Sequence, residues 1–526
     1  MRIFVFKDDF VAPINKKKDG KFSVDQSTSV IQQKEHFFEA LKGLGEIIYL
    51  EKRISYPKAC SIFQAPETIF AKMHGVTNSP GWEMAPKRTL SHALGDLLLP
   101  EGYNDPGIFC ENTINLITNA FQAKRIKDNL ARVAPRMAIF TPKLNEDDFY
   151  LPSDRQRLLE RKKIGLAKED IHIVYAGRWL ATKGITQVLR ALTLWPDKRI
   201  KVSLAGDFEP NFPIRQMSAS HFTFESYFQR EYLGDKRGQS VYLRGAKTPE
   251  KLRELFWSAD VVVYMSGHED ENFGMAPREA VLCGAPVVVT DFCGLNPVGN
   301  QMPWGCVTTY PAFNGPRYSI FELRNKISAA AAKKNWDPQE AAKAVKKECN
   351  PAVAQANLKR AAQELLDRPL VEPLKPKAAR EKILFDLLRY ADEKVARALT
   401  HDDTQMPDGA FVDGTGFYNS SYPYQSLLRA IQGFYTTYNE PPKVERGLIY
   451  RGFSRIALWS QELALVEFGF PGPRVKHYDD KDWRILASCV QKDKTGDLVL
   501  RPHSLTQLRL AQELVDLGYL VPEEIT

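Results

Sequence analysis

Two stretches of the chain concentrate side chains suited to an anionic, hydroxyl-rich molecule. In GRWLATKG, Arg178 and Lys183 stand five residues apart. A guanidinium forks onto two oxygens and an ammonium acts as a point charge, so the pair suits a diphosphate. The alternative is two solvated surface cations. In HEDENFGMAPREAVLCGAPVVV, Glu271 and Glu279 are eight residues apart and flank an Asn-Phe-Gly turn leading through Met275 into a helix. Gly274 permits close backbone approach, and free N–H groups at a helix start favour an anion. Ionised carboxylates only accept hydrogen bonds, which matches sugar and ribose hydroxyls. Their alternative role is to pair with the helix dipole.

The elements around these residues set their positions. Residues Ile171–Ala176 (IHIVYA) read as a strand, which puts Arg178 and Lys183 just past a strand's carboxyl end, where α/β sheets bind ligands. Helix 185–195, strands 199–207 and 240–245, helix 248–259, strand 260–266, helix 274–282 and strand 285–293 continue the series. The helix at 248 opens with a Thr N-cap followed by Pro249. Unalternating Val and Ile runs suit strands buried on both faces. The first part of the chain has the same rhythm, with strand MRIFVF, helix 29–44, strand 46–50 and further strands at 59–63, 96–99, 114–118 and 137–141. Alternation of this kind predicts an α/β protein with two doubly wound Rossmann-like domains, at 1–148 and 149–350.

Pro369, Pro373 and Pro376 mark a linker, and residues 369–526 lose the βαβ rhythm. They predict an accessory, mostly helical domain, with helices at 379–399 and 504–517. Its aromatic stretch, Phe417, Tyr418, Tyr422 and Tyr424, would stack on sugars, form a partner surface or fill a small core.

Composition bounds these readings. A length of 526 residues corresponds to about three domains, and 44% hydrophobic with 26% charged residues excludes a wholly disordered chain. No apolar run reaches the ~20 residues of a membrane helix, and the N-terminus lacks a leader pattern. Seven scattered cysteines without a CxxC pair argue against a disulfide framework or zinc site and for a cytoplasmic setting. A net charge of +8 is compatible with a phosphorylated ligand or an anionic membrane surface. Zinc-finger and RNA-recognition signatures are absent, so nucleic acid is not an expected partner.

The ordered combination of Gly177-Arg178, Lys183-Gly184, Glu271, Phe273-Gly274, Pro277, Glu279-Ala280, Gly284 and Pro286-Val287-Val288 resembles the retaining, GT-B fold glycosyltransferases of the family 4 type, over about residues 110–366. The resemblance implies that Arg178 and Lys183 hold the diphosphate of a nucleotide-sugar donor, of UDP or GDP type, and stabilise it as it leaves. It implies that the amides of Phe273, Gly274 and Met275 add donors, that Glu271 meets the donor sugar and Glu279 the ribose, and that Arg244 and Gly245 lie where the base packs. It makes 1–148 the acceptor side and 351–368 a helix returning to that domain. No Asp-x-Asp stands in this region, so the cations would replace a divalent ion, and neither a metal nor another cofactor is expected.

The first domain departs from the family pattern. The loop after its first strand has a single glycine, Gly20, with Lys16, Lys17 and Lys18, which would meet an anionic acceptor or simply face solvent. The family's first-domain histidine corresponds to His74 or, second, His92; His268 would shape the loop before Glu271. The implied activity is transfer of a sugar to a glycan or lipid-linked acceptor in polysaccharide or glycoconjugate synthesis. Peripheral attachment to a membrane and oligomerisation through the tail are compatible with it. Two rivals stand beside it: a nucleotide-sugar epimerase, and a catalytically weak scaffold acting through the tail.

Overall fold

A computed structural model describes residues 1–6, 28–50, 56–73, 87–92, 111–129, 136–177, 183–195, 197–206, 240–245, 248–267, 271–310, 312, 316–333, 335–371, 442–453, 455–468, 473–493 and 497–523. In chain order the first elements are β1 (Arg2–Phe6), α1 (Thr28–Lys42), β2 (Glu46–Leu50), α2 (Tyr56–Phe63), β3 (Thr68–Met73), β4 (Thr89–His92), β5 (Thr113–Ile117), α3 (Ala120–Asn129) and β6 (Arg136–Ile139). Then come α4 (Asp154–Lys163), β7 (Ile171–Ala176), α5 (Ile185–Thr193), β8 (Ile200–Ala205), β9 (Ser240–Gly245), α6 (Pro249–Ser258), β10 (Val261–Tyr264), α7 (Met275–Leu282), β11 (Val287–Thr290), α8 (Asn296–Gly299) and β12 (Cys306–Val307). Helices α9 (Ile320–Ala332), α10 (Pro338–Glu348) and α11 (Pro351–Leu366) follow. The tail holds β13 (Tyr450–Gly452), β14 (Arg455–Trp459), β15 (Ala464–Phe468), β16 (Pro473–His477), α12 (Asp480–Cys489), β17 (Val490–Lys492), β18 (Leu498–Leu500), α13 (Leu505–Asp516) and β19 (Leu520–Pro522).

The chain divides into two compact units, the first made of Met1–Leu144, Glu269–Met275 and Lys346–Tyr390, the second of Asn145–His268, Ala276–Val345 and Ala391–Thr526. In the first, six parallel strands run in the order β2-β1-β3-β4-β5-β6. The two-residue period of β1 sends Ile3 and Val5 to a core shared with Phe37 and Leu41 of α1 and with Leu358, Ala362 and Leu365 of α11. Phe4 and Phe6 face the other way, against Ala59 and Phe63 of α2 and Phe70 of β3. Residues 59–63, read from sequence as a strand, are therefore helical. Ala59 and Phe63, four apart, put one helix face into that core, and a short apolar run does not tell helix from strand by itself. Helix α11 starts at Pro351 behind the N-cap Asn350, and the side chains of Gln355 and Asn357 donate to the carbonyls of Ala40 and Ile139 at 3.0 and 3.1 Å.

The second unit carries a six-stranded parallel sheet in the order β9-β8-β7-β10-β11-β12. This is the doubly wound dinucleotide-binding order, and it reverses between β7 and β10. The triple-valine strands β10 and β11 are buried on both faces, as parallel strands under helices must be. Helix α6 starts where the sequence signals it, with the Thr248 side chain accepting from the Lys251 amide and Pro249 in the first turn. The α/β class with two Rossmann-like parallel sheets is thus the architecture of the chain.

The described part of the tail differs from the mostly helical expectation. It holds one four-stranded sheet (β17-β18-β13-β19) and one three-stranded sheet (β14-β15-β16), both antiparallel, beside α12 and α13. Its strands are only three to five residues long, too short for an alternating pattern to stand out. Of the two helices expected there, 504–517 is α13, capped by Ser504 and Gln507, and 379–399 lies outside the described residues.

Candidate functional site

The second unit's sheet has its crevice where the strand order reverses, at the carboxyl ends of β7 and β10. Tyr175 of β7 and Tyr264 of β10 stack there with ring centroids 6.2 Å apart. The Tyr175 hydroxyl donates to the Lys183 carbonyl at 3.3 Å, and the Lys183 ammonium lies 5.8 Å from the Tyr264 ring centroid, over an electron-rich face. Lys183 is 5% exposed, which distinguishes it from a solvated surface cation. Gly184 is the N-cap of α5 at φ +70°, so no side chain caps the first turn of that helix. A Cβ at Gly184 would come within 2.2 Å of the Met265 carbonyl oxygen, so the lysine is followed by the one residue that fits. Arg178 lies outside the described residues. Arg244 and Gly245 end β9, and the side chain of Arg244 is likewise outside the description.

Glu279 sits on α7 in the same unit, 7% exposed. Burial, reinforced by the Asp148 carboxylate, pushes its carboxyl up to about 7. The Asn145 side chain amide donates to Asp148 at 2.5 Å, and the Asp148 carbonyl accepts from Arg253 at 2.9 Å. The Arg253 guanidinium in turn lies over Tyr150 and Trp257, 5.0 Å from each ring centroid. Among the described residues, no hydrogen bond or ion pair meets the Glu279 carboxyl. A carboxyl in that state can accept a hydrogen bond and, while protonated, donate one.

Glu271, Asn272, Phe273 and Gly274, with Met275, belong to the first unit and are buried. Gly274 takes φ +75° before α7 begins. The Asn272 carbonyl accepts from the Thr118 hydroxyl and, at 3.0 Å, from the Asn119 side chain amide. Thr118 and Asn119 follow β5 directly, and Asn119 also accepts from the Gln122 amide at 2.8 Å, starting α3. The turn beside Glu271 is therefore held from the carboxyl end of a sheet by two uncharged side chains.

His92 ends β4 and is fully buried, with ring centroids of Phe37 and Phe140 at 5.1 and 5.4 Å, the setting of a core aromatic. His74 directly follows β3, and Gly20, Lys16, Lys17 and Lys18 follow β1, the two strands between which the first sheet's order reverses; all five residues lie outside the description, as do His268, Phe417, Tyr418, Tyr422 and Tyr424. Sequence reasoning missed Tyr175, Tyr264, Thr118 and Asn119. Their only signal was their place at strand ends, and aromatic or Thr residues there read equally well as core. Among the described residues no group of three His, Cys, Asp or Glu side chains could hold a metal ion, and no helix is long and apolar enough to cross a membrane.

Residues 156–299 match the family model described as glycosyl transferases group 1. The chain is 30% identical over 147 residues to a D-inositol 3-phosphate glycosyltransferase of Paenarthrobacter aurescens, covering 28% of this chain and 33% of that protein. It is 30% identical over 142 residues to an uncharacterized glycosyltransferase of Methanocaldococcus jannaschii, covering 26% and 31%. The matched segment thus spans about a third of the length of these relatives. Among solved structures, HepE of Anabaena in complex with UDP and glucose aligns with a TM-score of 0.46 at 14% identity, over 69% of this chain and all of that one. Sucrose-phosphate synthase of Thermosynechococcus elongatus aligns with a TM-score of 0.46 at 18% identity, over 69% and 97%.

Proposed function

We propose that this chain, whose residues 156–299 are of the glycosyl transferases group 1 type, is a retaining glycosyltransferase that moves a sugar from a nucleotide-diphospho-sugar to a glycan or lipid-linked acceptor. The observation that carries the reading is Lys183: a buried ammonium at the reversal point of a doubly wound sheet, ahead of a helix capped only by glycine. Cleaving the donor's glycosidic bond builds positive charge on the sugar and negative charge on the departing diphosphate. Lys183, Arg178 and the first-turn amides of α5 would stabilise that developing negative charge in place, without waiting for solvent to reorganise. Glu271 and Glu279 accept from sugar and ribose hydroxyls. Glu279, titrating near neutrality, can also donate while protonated. The incoming hydroxyl attacks from the face the diphosphate leaves, and the diphosphate takes its proton. The cations fill the role of a divalent ion, and the nucleotide is of UDP or GDP type.

The test is turnover of a matched donor by wild type and by Lys183→Ala, each with and without chelator. The variant should lose at least ~100-fold, the scale of one preorganised transition-state contact, and chelator should leave wild type unchanged. Near-normal turnover by the variant, or strict Mg²⁺ dependence, contradicts the reading.

A further inference from the structure

The tail is tied to the second unit through the residues around Tyr318, which lies beside Gly184. Arg317 and Ser319 flank Tyr318, and both reach tail backbone: Arg317 Nε donates to the Gly518 carbonyl at 2.9 Å and Ser319 Oγ to the Glu523 carbonyl at 3.2 Å. Tyr318 itself meets Phe453 edge-to-face at 5.0 Å, and the Arg317 guanidinium covers the same Phe453 ring at 4.5 Å. At its other end, the Tyr318 hydroxyl is buried and, among the described residues, has no hydrogen-bond partner; it points at Gly184, where an added Cβ would lie 2.9 Å from it. A second tie joins the helix that starts at this glycine: Arg190 of α5 pairs with Asp497 at 3.1 Å, and Asp497 also pairs with Arg451 of β13 at 3.2 Å.

A buried hydroxyl left without a partner lowers stability, and it is kept here against a backbone that cannot accept a side chain. We propose that the tail is a brace for Lys183 and Gly184 at the start of α5, with Phe453 and Tyr318 as positioning residues that fix Gly184 and thereby the Lys183 ammonium. This rests on the reading of Lys183 as a ligand of the donor diphosphate. Residues 442–523 then belong to donor recognition although they touch no donor. The brace acts on the phosphate end of the nucleotide and leaves the nucleoside end alone.

The experiment compares binding of UDP with UMP, and GDP with GMP, by the full-length protein. Wild type should prefer the diphosphate, and Lys183→Ala should abolish that preference. Phe453→Ala should reduce it about tenfold, the scale of a sub-ångström displacement of a positioned group, with monophosphate affinity unchanged. Tyr318→Phe should reduce it in the same direction while its melting temperature holds or rises, because an unpartnered hydroxyl is removed; a merely structural role would not separate these two readouts. Trp459→Ala, on the exposed face of β14, serves as the tail control and should change neither affinity. If Phe453→Ala and Tyr318→Phe both keep the wild-type preference while Lys183→Ala loses it, the brace is wrong and the site stands. If Lys183→Ala keeps the preference, or wild type binds no nucleotide at millimolar concentration, the donor reading falls and the brace falls with it.

Discussion

The two parallel sheets are alike in class and unlike in what stands at their carboxyl ends. In the second unit the ends of β7 and β10 hold a buried ammonium over Tyr264, one of two stacked tyrosines, with a buried carboxyl on α7 that titrates near 7. In the first unit the described end of β5 holds Thr118 and Asn119, uncharged groups that fix the Asn272 carbonyl. Among the described residues, one sheet carries charge that would act on a ligand, and the other fixes the shape of a turn. The two sheets differ in strand order as well, and among the described residues they present different physics: a buried, held cation in one, ordinary hydrogen bonds in the other.

The largest effect concerns Glu279. Its folded carboxyl is raised to about 7 from an ordinary 4.5, so between those values the folded state holds more protons than the unfolded one. Stability therefore falls as pH rises through that window, by up to about 3 kcal/mol from this group. Glu279→Gln should remove that decline, and urea unfolding at pH 4.5 and pH 8 would measure it. A wild type with flat stability across the window would remove the strained acid from the second unit's side of the comparison. Next comes Lys183→Ala, expected to lose at least ~100-fold in donor turnover, equivalent to about 2.7 kcal/mol, with stability nearly unchanged. The smallest effect belongs to the first unit. Thr118→Val removes the Thr118 hydrogen bond to the Asn272 carbonyl and leaves that of Asn119; it should cost about 1 kcal/mol of stability and about fivefold in turnover. Should Thr118→Val cost more turnover than Lys183→Ala, the division between the sheets is wrong.

Much of this was legible in the sequence, for reasons that differ by region. Strands β10 and β11 declare themselves by their triple valines, β7 by its Ile- and Val-rich, non-alternating run, and α6 by its Thr-Pro start. Strands β3 and β4 went unread because Thr68, Lys72, Thr89, Ser91 and His92, all buried, look like surface residues until a second layer covers them. Residues 59–63 misled because Ala59 and Phe63 fit either period. The tail's strands are shorter than any pattern detects. At the site, residue types and spacing singled out Lys183 and Glu279. Tyr175 and Tyr264 could not be paired in advance, since β7 and β10 become neighbours only through a strand order that sends β8 and β9 to the other side. Tyr318 is further still: its place beside Gly184 depends on a loop tied to a tail strand more than a hundred residues away.

Binding of a nucleotide-sugar by the second unit through Lys183 is measured by thermal shift against a panel of UDP-, GDP-, ADP-, CMP- and TDP-sugars, run on wild type and Lys183→Ala. One donor class should stabilise wild type, by roughly 1.4–2.7 kcal/mol at ten to a hundred times its Kd, and the shift should vanish in the variant. No shift with any donor at millimolar concentration, or an equal shift in both proteins, would contradict binding through Lys183.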